Sequence, residues 1–249
     1  MCGVDFVSKQ LHGVPRHARW GTKPVSVGPT ETEKGDLAPG SAVAGWVQGV
    51  AVTAVGAGLG FGIGRRLGAV AGGVLSGLFA VPFGRAVAEC RPYHGSARGV
   101  RRCILDATWS SLNTWAGAIY YGLHRMAGNH HDVVRSTGSG SIWLVNGVVP
   151  RYATTIGTVK AGSTDAVDRH EEIHVFQARL FGPLYLPLVV LNYVVATVVP
   201  YWLLFYDKAR YPITGFASYF EHGVYPHVWN ELWAYRATGR VTEGGRRRS

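Results

Sequence analysis

Two long apolar runs dominate the hydropathy pattern of the first third of the chain. Residues 37–64 and 67–84 contain no charged side chain, and Arg65 and Arg66 separate the two runs. A helix needs about 20 apolar residues to cross a bilayer, so the first run is long enough and the second is marginal. The pattern predicts a hydrophobic helical hairpin over residues 41–85, with the arginine pair at its turn or at a helix end.

Glycine recurs every fourth residue through this predicted hairpin. The stripe comprises Gly56, Gly60, Gly64, Gly68 and Gly72. In water each interior glycine costs a helix about 1 kcal/mol relative to alanine, which disfavours an ordinary soluble helix. In lipid, small residues let helix backbones approach closely. The spacing therefore favours a membrane-type hairpin, and it also allows oligomers to form through the glycine-rich helices.

The segments around the hairpin are polar and basic. Residues 1–40 are rich in proline and other turn formers and predict a flexible basic arm, while residues 241–249 predict a basic tail. The charged stretch 85–102 predicts the boundary to a second domain over 104–240.

The second domain begins with a different periodicity. Apolar side chains recur every three or four residues over 104–127, which predicts one helix. Residues 142–145 and 152–159 are rich in β-branched and aromatic side chains, and Asn146-Gly147 between them favours a β-hairpin turn. Residues 180–206 carry no charge, so they predict a segment that crosses the membrane, dips into it or forms a core helix.

Composition supports contact with a membrane. Charged residues make up only 16% of the chain, apolar residues make up 47%, and 34 residues are glycine. The formal net charge of +10 suits either anionic lipid or nucleic acid. Because no aromatic-basic motif or zinc-finger spacing accompanies this charge, we expect a lipid partner and no nucleic acid.

The strongest chemical signal is a His-Glu-x-x-His pattern at residues 170–174. On a helix, residues four apart lie one turn apart on the same face, so His170 and His174 can direct two imidazoles at one metal ion. Glu171 is offset around the helix, which suits a carboxylate that takes a proton from water without joining the metal ligands.

Three short runs carry a resemblance to a known family. They are Ile156-Gly157-Thr158-Val159, the longer His-Glu-x-x-His-x-x-Gln pattern that ends at Gln177, and Gly182-Pro183-Leu184-Tyr185-Leu186-Pro187. Together they resemble small bacterial zincin-like metallopeptidase domains, which also occur within polymorphic and Rhs-type toxins. The likeness covers residues 104–240.

The resemblance implies a glutamate zincin, in which a downstream glutamate completes the zinc site. Asn230-Glu231-Leu232-Trp233-Ala234 matches the Glu-x-x-Ala setting of that ligand, which makes Glu231 the expected third ligand. Independently of the family, a catalytic zinc ion needs three protein ligands and an open position. On that ground Glu221, His222 and His227 stay open as alternatives.

The sequence therefore predicts an α+β, mostly helical fold with a short β-hairpin. The expected function is that of a membrane-associated, zinc-dependent metallopeptidase that acts on a peptide or protein, with His170, His174 and Glu231 as ligands and Glu171 as general base. The alternative is a membrane-inserting effector, toxin or interaction protein in which the zincin-like domain is a non-catalytic scaffold. A bacterial chain that is secreted or delivered as an effector fits either interpretation.

Overall fold

The computed structural model describes residues 39–93, 95–147, 153–162 and 165–239. This part of the chain is mostly helical and carries one small sheet of three strands, in agreement with the predicted α+β class. The predicted tail, and the predicted arm apart from residues 39 and 40, lie outside the described residues. The helices are α1 (Pro39–Cys90), α2 (Ala97–Ala107), α3 (Ser111–Met126), α4 (Val133–Ser136), α5 (Asp165–Phe181), α6 (Tyr185–Val198), α7 (Phe216–Ser218) and α8 (Trp229–Thr238), and the strands are β1 (Ile142–Leu144), β2 (Thr154–Ile156) and β3 (Val159–Ala161).

Helix α1 is a hairpin of two helical arms. Its backbone leaves the helical conformation at Gly64 and Arg65, and Arg65 has a φ of 50°. The glycines hold the two arms close together: a Cβ at Gly60 would lie 2.0 Å from the carbonyl oxygen of Gly68, and one at Gly72 would lie 2.2 Å from that of Gly56. Four of the five glycines in the stripe thus form the contact between the arms, whereas Gly64 lies at the turn.

The hairpin shares a hydrophobic core with the elements that follow it. Val52 and Phe83 of α1 are fully buried and belong to the same apolar cluster as Tyr121 of α3 and Ile142 of β1. Phe83 and Tyr121 meet edge to face, with ring centroids 6.1 Å apart. The boundary predicted over the charged stretch 85–102 therefore does not separate two hydrophobic cores.

The single helix predicted over 104–127 was wrong, because the chain breaks at Thr108–Ser110 between α2 and α3. Buried polar side chains explain the break. Ser110 donates its hydroxyl to the carbonyl of Ala178 at 3.0 Å, and the Asn113 amide donates to the carbonyl of Gly182 at 2.7 Å. These bonds fix the start of α3 against the end of α5.

The strand pairing also differs from the prediction. The hairpin in the sheet joins β2 to β3 through a tight turn at Gly157-Thr158, where Gly157 has a φ of 58° that favours glycine. β1 pairs with β3 in parallel, so Asn146-Gly147 does not form a hairpin turn. Asn129 explains why: its side chain accepts from the backbone N–H of Asn146 and donates to its carbonyl, at 3.1 and 2.6 Å.

Among the described residues, two helical stretches are long and apolar enough to cross a membrane, Gly40–Cys90 and Val167–Val198. The second includes both α5 and α6, which a 3₁₀ turn at Gly182–Leu184 connects. Much of the apolar surface is exposed, notably at Ile63 (92%) and Leu67 (84%) beside the hairpin turn.

Candidate metal centre

Helix α5 brings the two predicted histidines together. His170 and His174 are one helical turn apart, they are 5% and 6% exposed, and their Nε2 atoms lie 3.2 Å from each other. Five consecutive polar or charged residues, Asp168 to Glu172, lie in the first half of α5, whereas the second half is mostly apolar. His170 therefore lies in the polar half of α5 and His174 in its mostly apolar half, and both are buried.

Glu231 of α8 completes the group. Its Oε2 atom lies 3.1 Å from His170 Nε2, and its Oε1 atom lies 3.4 Å from His174 Nε2. Ligands about 2.0–2.1 Å from a tetrahedral zinc ion would lie about 3.3 Å from one another. All three measured separations are close to that value, so the buried group of His170, His174 and Glu231 could hold a metal ion.

Gln177 orients one of the two imidazoles. Its Oε1 atom accepts from His174 Nδ1–H at 3.0 Å and from the Tyr185 hydroxyl at 3.2 Å, and its Nε2 atom donates to the carbonyl of Asn230 at 3.0 Å. A proton on Nδ1 leaves the lone pair of His174 Nε2 free for a metal ion. The position of Gln177 three residues after His174, which places both side chains on one helix face, is the signal in the sequence for this orienting role.

Tyr235 packs against the other imidazole. Its ring lies 4.6 Å from the ring of His170, centroid to centroid. In the described part of the chain His170 Nδ1 has no hydrogen-bond partner. On the Nδ1 side of each ring, ring packing and burial therefore orient His170, whereas a hydrogen bond to Gln177 orients His174.

The charges of the group are strongly linked. Burial by itself lowers the pKa of His174, but the nearby carboxylate of Glu231 outweighs it and raises that pKa to about 9. Burial by itself raises the pKa of Glu231, but the charges and hydrogen bonds of His174 and His170 outweigh it and lower that pKa to about 2. In the metal-free protein at neutral pH, a proton on His174 thus takes the place that a cation would occupy.

Glu171 lies beside the ligand group without belonging to it. Its side chain is 5% exposed, and its Oε2 atom accepts from the Thr155 hydroxyl of β2 at 2.6 Å. Thr155 is the central residue of β2, at the edge of the sheet. The structure thus places the predicted general base between the ligand helix and an edge strand.

The three alternative ligands lie outside the group of ligand atoms. His227 is buried, but its Nδ1 atom donates to the carbonyl of Gly223 at 2.5 Å and its ring stacks on Trp202. The ring of His222 lies 5.6 Å from that of Tyr211, and Glu221 is exposed. Within the described ranges, the one group of His, Cys, Asp and Glu ligand atoms close enough to share an ion is His170, His174 and Glu231.

Comparison with known protein families, with curated proteins and with solved structures finds no match. The class of the site is therefore defined by its own geometry: two helix histidines, a carboxylate from a distant helix and a second carboxylate beside them.

Proposed function

We propose that this chain is a membrane-associated, zinc-dependent hydrolase of the metallopeptidase type, with a zincin-like site. The observation that carries the proposal is the mutual spacing of 3.1, 3.2 and 3.4 Å among the ligand atoms of His170, His174 and Glu231. Two imidazoles and one carboxylate are a ligand set that zinc accepts in hydrolytic enzymes, where a fourth position stays open.

When bound, a zinc ion would act as a Lewis acid that polarises a substrate carbonyl and lowers the pKa of a water molecule. Glu171 is the residue that moves the proton. Thr155 holds its Oε2 atom, so the Oε1 atom is left to accept a proton from water and to return it to the departing amine. Gln177 accepts from His174 Nδ1–H and so directs the Nε2 atom of His174 toward the ion, and burial of the group excludes bulk water.

The free edge of the sheet suits a peptide substrate in an extended conformation. The strand order β1-β3-β2 leaves β2 at an edge, and no strand of the described residues pairs with its outer side. Because Thr155 of this strand contacts Glu171, a peptide added along β2 would lie next to the proposed base.

The exposed apolar surface supports a membrane location. Val194 and Val198 of α6 are 53% and 72% exposed, and Leu204, which follows α6, is 77% exposed. Exposed apolar patches of this kind mark membrane or protein contacts. We therefore propose that the hairpin and the α6 region contact lipid.

One observation favours the alternative, a membrane-inserting effector or interaction protein with a non-catalytic zincin-like scaffold. The three ligand residues and Glu171 are each only 5–6% exposed, so a substrate reaches them only if the surrounding segments move. A closed site suits a structural metal ion as well as a resting enzyme.

The test compares Glu171→Gln with Glu221→Gln in the full-length protein. Glu221 is exposed and outside the ligand group, so its variant controls for the loss of one carboxylate. We expect Glu171→Gln to retain zinc and to lose cleavage of a mixed peptide library by at least about 100-fold, which is typical of a missing general base. Glu221→Gln should cleave like the parent. Cleavage that survives in Glu171→Gln would remove the catalytic proposal and leave the scaffold interpretation.

A further inference from the structure

Helix α5 has a second face, which borders a cavity. His170, His174 and Gln177 lie on one side of the helix, whereas Phe176 and Arg179 lie on the other. That other side, together with α2, encloses a cavity of about 890 Å³. Ligand cavities commonly measure about 300–1,000 Å³. The proposed peptidase function uses no residue of this cavity.

Four arginines line the cavity, and we name it the basic cleft. Arg98, Arg101 and Arg102 come from α2, where their spacing places them on one face, and Arg179 comes from α5. Glu172 is the only carboxylate in the lining. The basic cleft therefore carries an excess of positive charge that a bound anion would balance.

Most of this charge is not neutralised by the protein itself. Arg179 is committed to the buried carboxylate of Asp106, at 2.7 and 2.8 Å. Among the described residues, by contrast, no carboxylate forms an ion pair with the three arginines of α2, and Arg98 and Arg101 are exposed. Burial, and next the charges of Arg179 and Arg98, lower the pKa of Arg102, as expected for like charges held together.

Apolar side chains also line the basic cleft, and we call this part of the lining the apolar wall. Leu105, Trp109 and Phe176 line it, and Trp109 and Phe176 are 48% and 50% exposed. Trp109 is fixed in place because its Nε1–H donates to the carbonyl of Leu180 at 3.3 Å and its ring packs on Gly182, where a Cβ would collide with it. Guanidinium groups beside a rigid apolar wall fit a ligand with a charged head and an apolar chain.

We propose that the basic cleft binds a phosphate monoester, carried on an apolar chain as in the headgroup region of an anionic phospholipid. Three arginines without carboxylate partners match a doubly charged phosphate, and guanidinium groups bind its oxygens in paired hydrogen bonds. A soluble phosphate monoester offers the same head without the chain. The proposal does not depend on the metal site, and its test measures binding alone.

The experiment is calorimetric titration of the full-length protein in a nonionic detergent with three probes. Dihexanoyl phosphatidic acid carries both head and chains, inorganic phosphate carries the head alone, and dihexanoyl phosphatidylcholine carries the chains with a zwitterionic diester. We expect phosphatidic acid to bind most tightly of the three probes. Its binding constant should exceed that of inorganic phosphate by about fourfold for each methylene group that the apolar wall covers. Phosphatidylcholine should bind too weakly to measure.

Arg98→Gln/Arg101→Gln removes two exposed arginines of the basic cleft, and Arg210→Gln/Arg236→Gln removes two exposed arginines elsewhere. The first variant should bind phosphatidic acid roughly 100-fold more weakly, at about tenfold for each charged hydrogen-bonding partner. The second should bind like the parent. Equal loss in both variants, or none in the first, would overturn the proposal. Equal affinity for phosphatidic acid and inorganic phosphate would keep the phosphate site but overturn the role of the apolar wall.

Discussion

Replacing Gln177 by leucine removes its hydrogen bonds but keeps a side chain of similar size. Leucine is close in size to glutamine and equally compatible with a helix, but it cannot replace the three hydrogen bonds of the amide. His174 Nδ1–H, the Tyr185 hydroxyl and the carbonyl of Asn230 would all lose their partner in the interior.

The size of the effect follows from those three bonds. A buried polar group left without a partner costs about 1–3 kcal/mol, so Gln177→Leu should lower the free energy of unfolding by at least about 3 kcal/mol. Metal affinity should fall separately. Removal of a group that orients a metal-ligating histidine typically weakens metal binding by about 10–100-fold.

The assay is zinc affinity by chelator competition, together with denaturant unfolding of the metal-free protein. Gln48→Leu is the matched control, because Gln48 is a second fully buried glutamine but donates to the carbonyl of Cys103 at 2.9 Å. It should lose about 1 kcal/mol of stability and keep its zinc affinity. Unchanged zinc affinity in Gln177→Leu, or an equal loss in Gln48→Leu, would refute the assigned role of Gln177.

Three further predictions concern the protonation of His174 and the packing of the hairpin. The pKa of His174 is raised to about 9, so a zinc ion that binds below that pH must displace the proton of His174. The apparent zinc affinity should therefore rise about tenfold per pH unit up to about pH 9 and then level off. The raised pKa also means that the metal-free protein should lose stability as the pH rises through about 9; a thermal-melt series without this loss would argue against the charged pair. In the hairpin, a Cβ at Gly60 would lie 2.0 Å from a carbonyl oxygen, whereas Gly62 has open space around it. Gly60→Ala should therefore lower the melting temperature and Gly62→Ala should raise or preserve it by helix propensity, and identical melts would contradict the arm contact.

The spacing of residues along one helix made two of the three metal ligands predictable from the sequence. His170 and His174 are four residues apart on one helix, so their convergence depends only on helix geometry. Glu231 lies 57 residues after His174 on another helix, and only the resemblance pointed to it. Nothing local distinguished it from Glu221, His222 or His227, because tertiary packing decides which distant side chain reaches the site.

The wrong predictions about the fold also arise from contacts between residues that are distant in the sequence. Asn146-Gly147 is a strong local hairpin signal, but the side chain of Asn129 binds the backbone there and the strand pairs in parallel with β3 instead. The break before α3 likewise depends on bonds from Ser110 to the end of α5. Long-range hydrogen bonds overrode the local pattern in both places.

X-ray absorption at the zinc edge of the purified full-length protein is the decisive measurement of whether His170, His174 and Glu231 hold one zinc ion. We expect one zinc ion per chain with nitrogen and oxygen ligands at about 2.0–2.2 Å and no sulfur, and loss of this signal in Glu231→Ala. A protein without zinc, a sulfur ligand at about 2.3 Å from one of the three cysteines, or an unchanged spectrum in Glu231→Ala would contradict it.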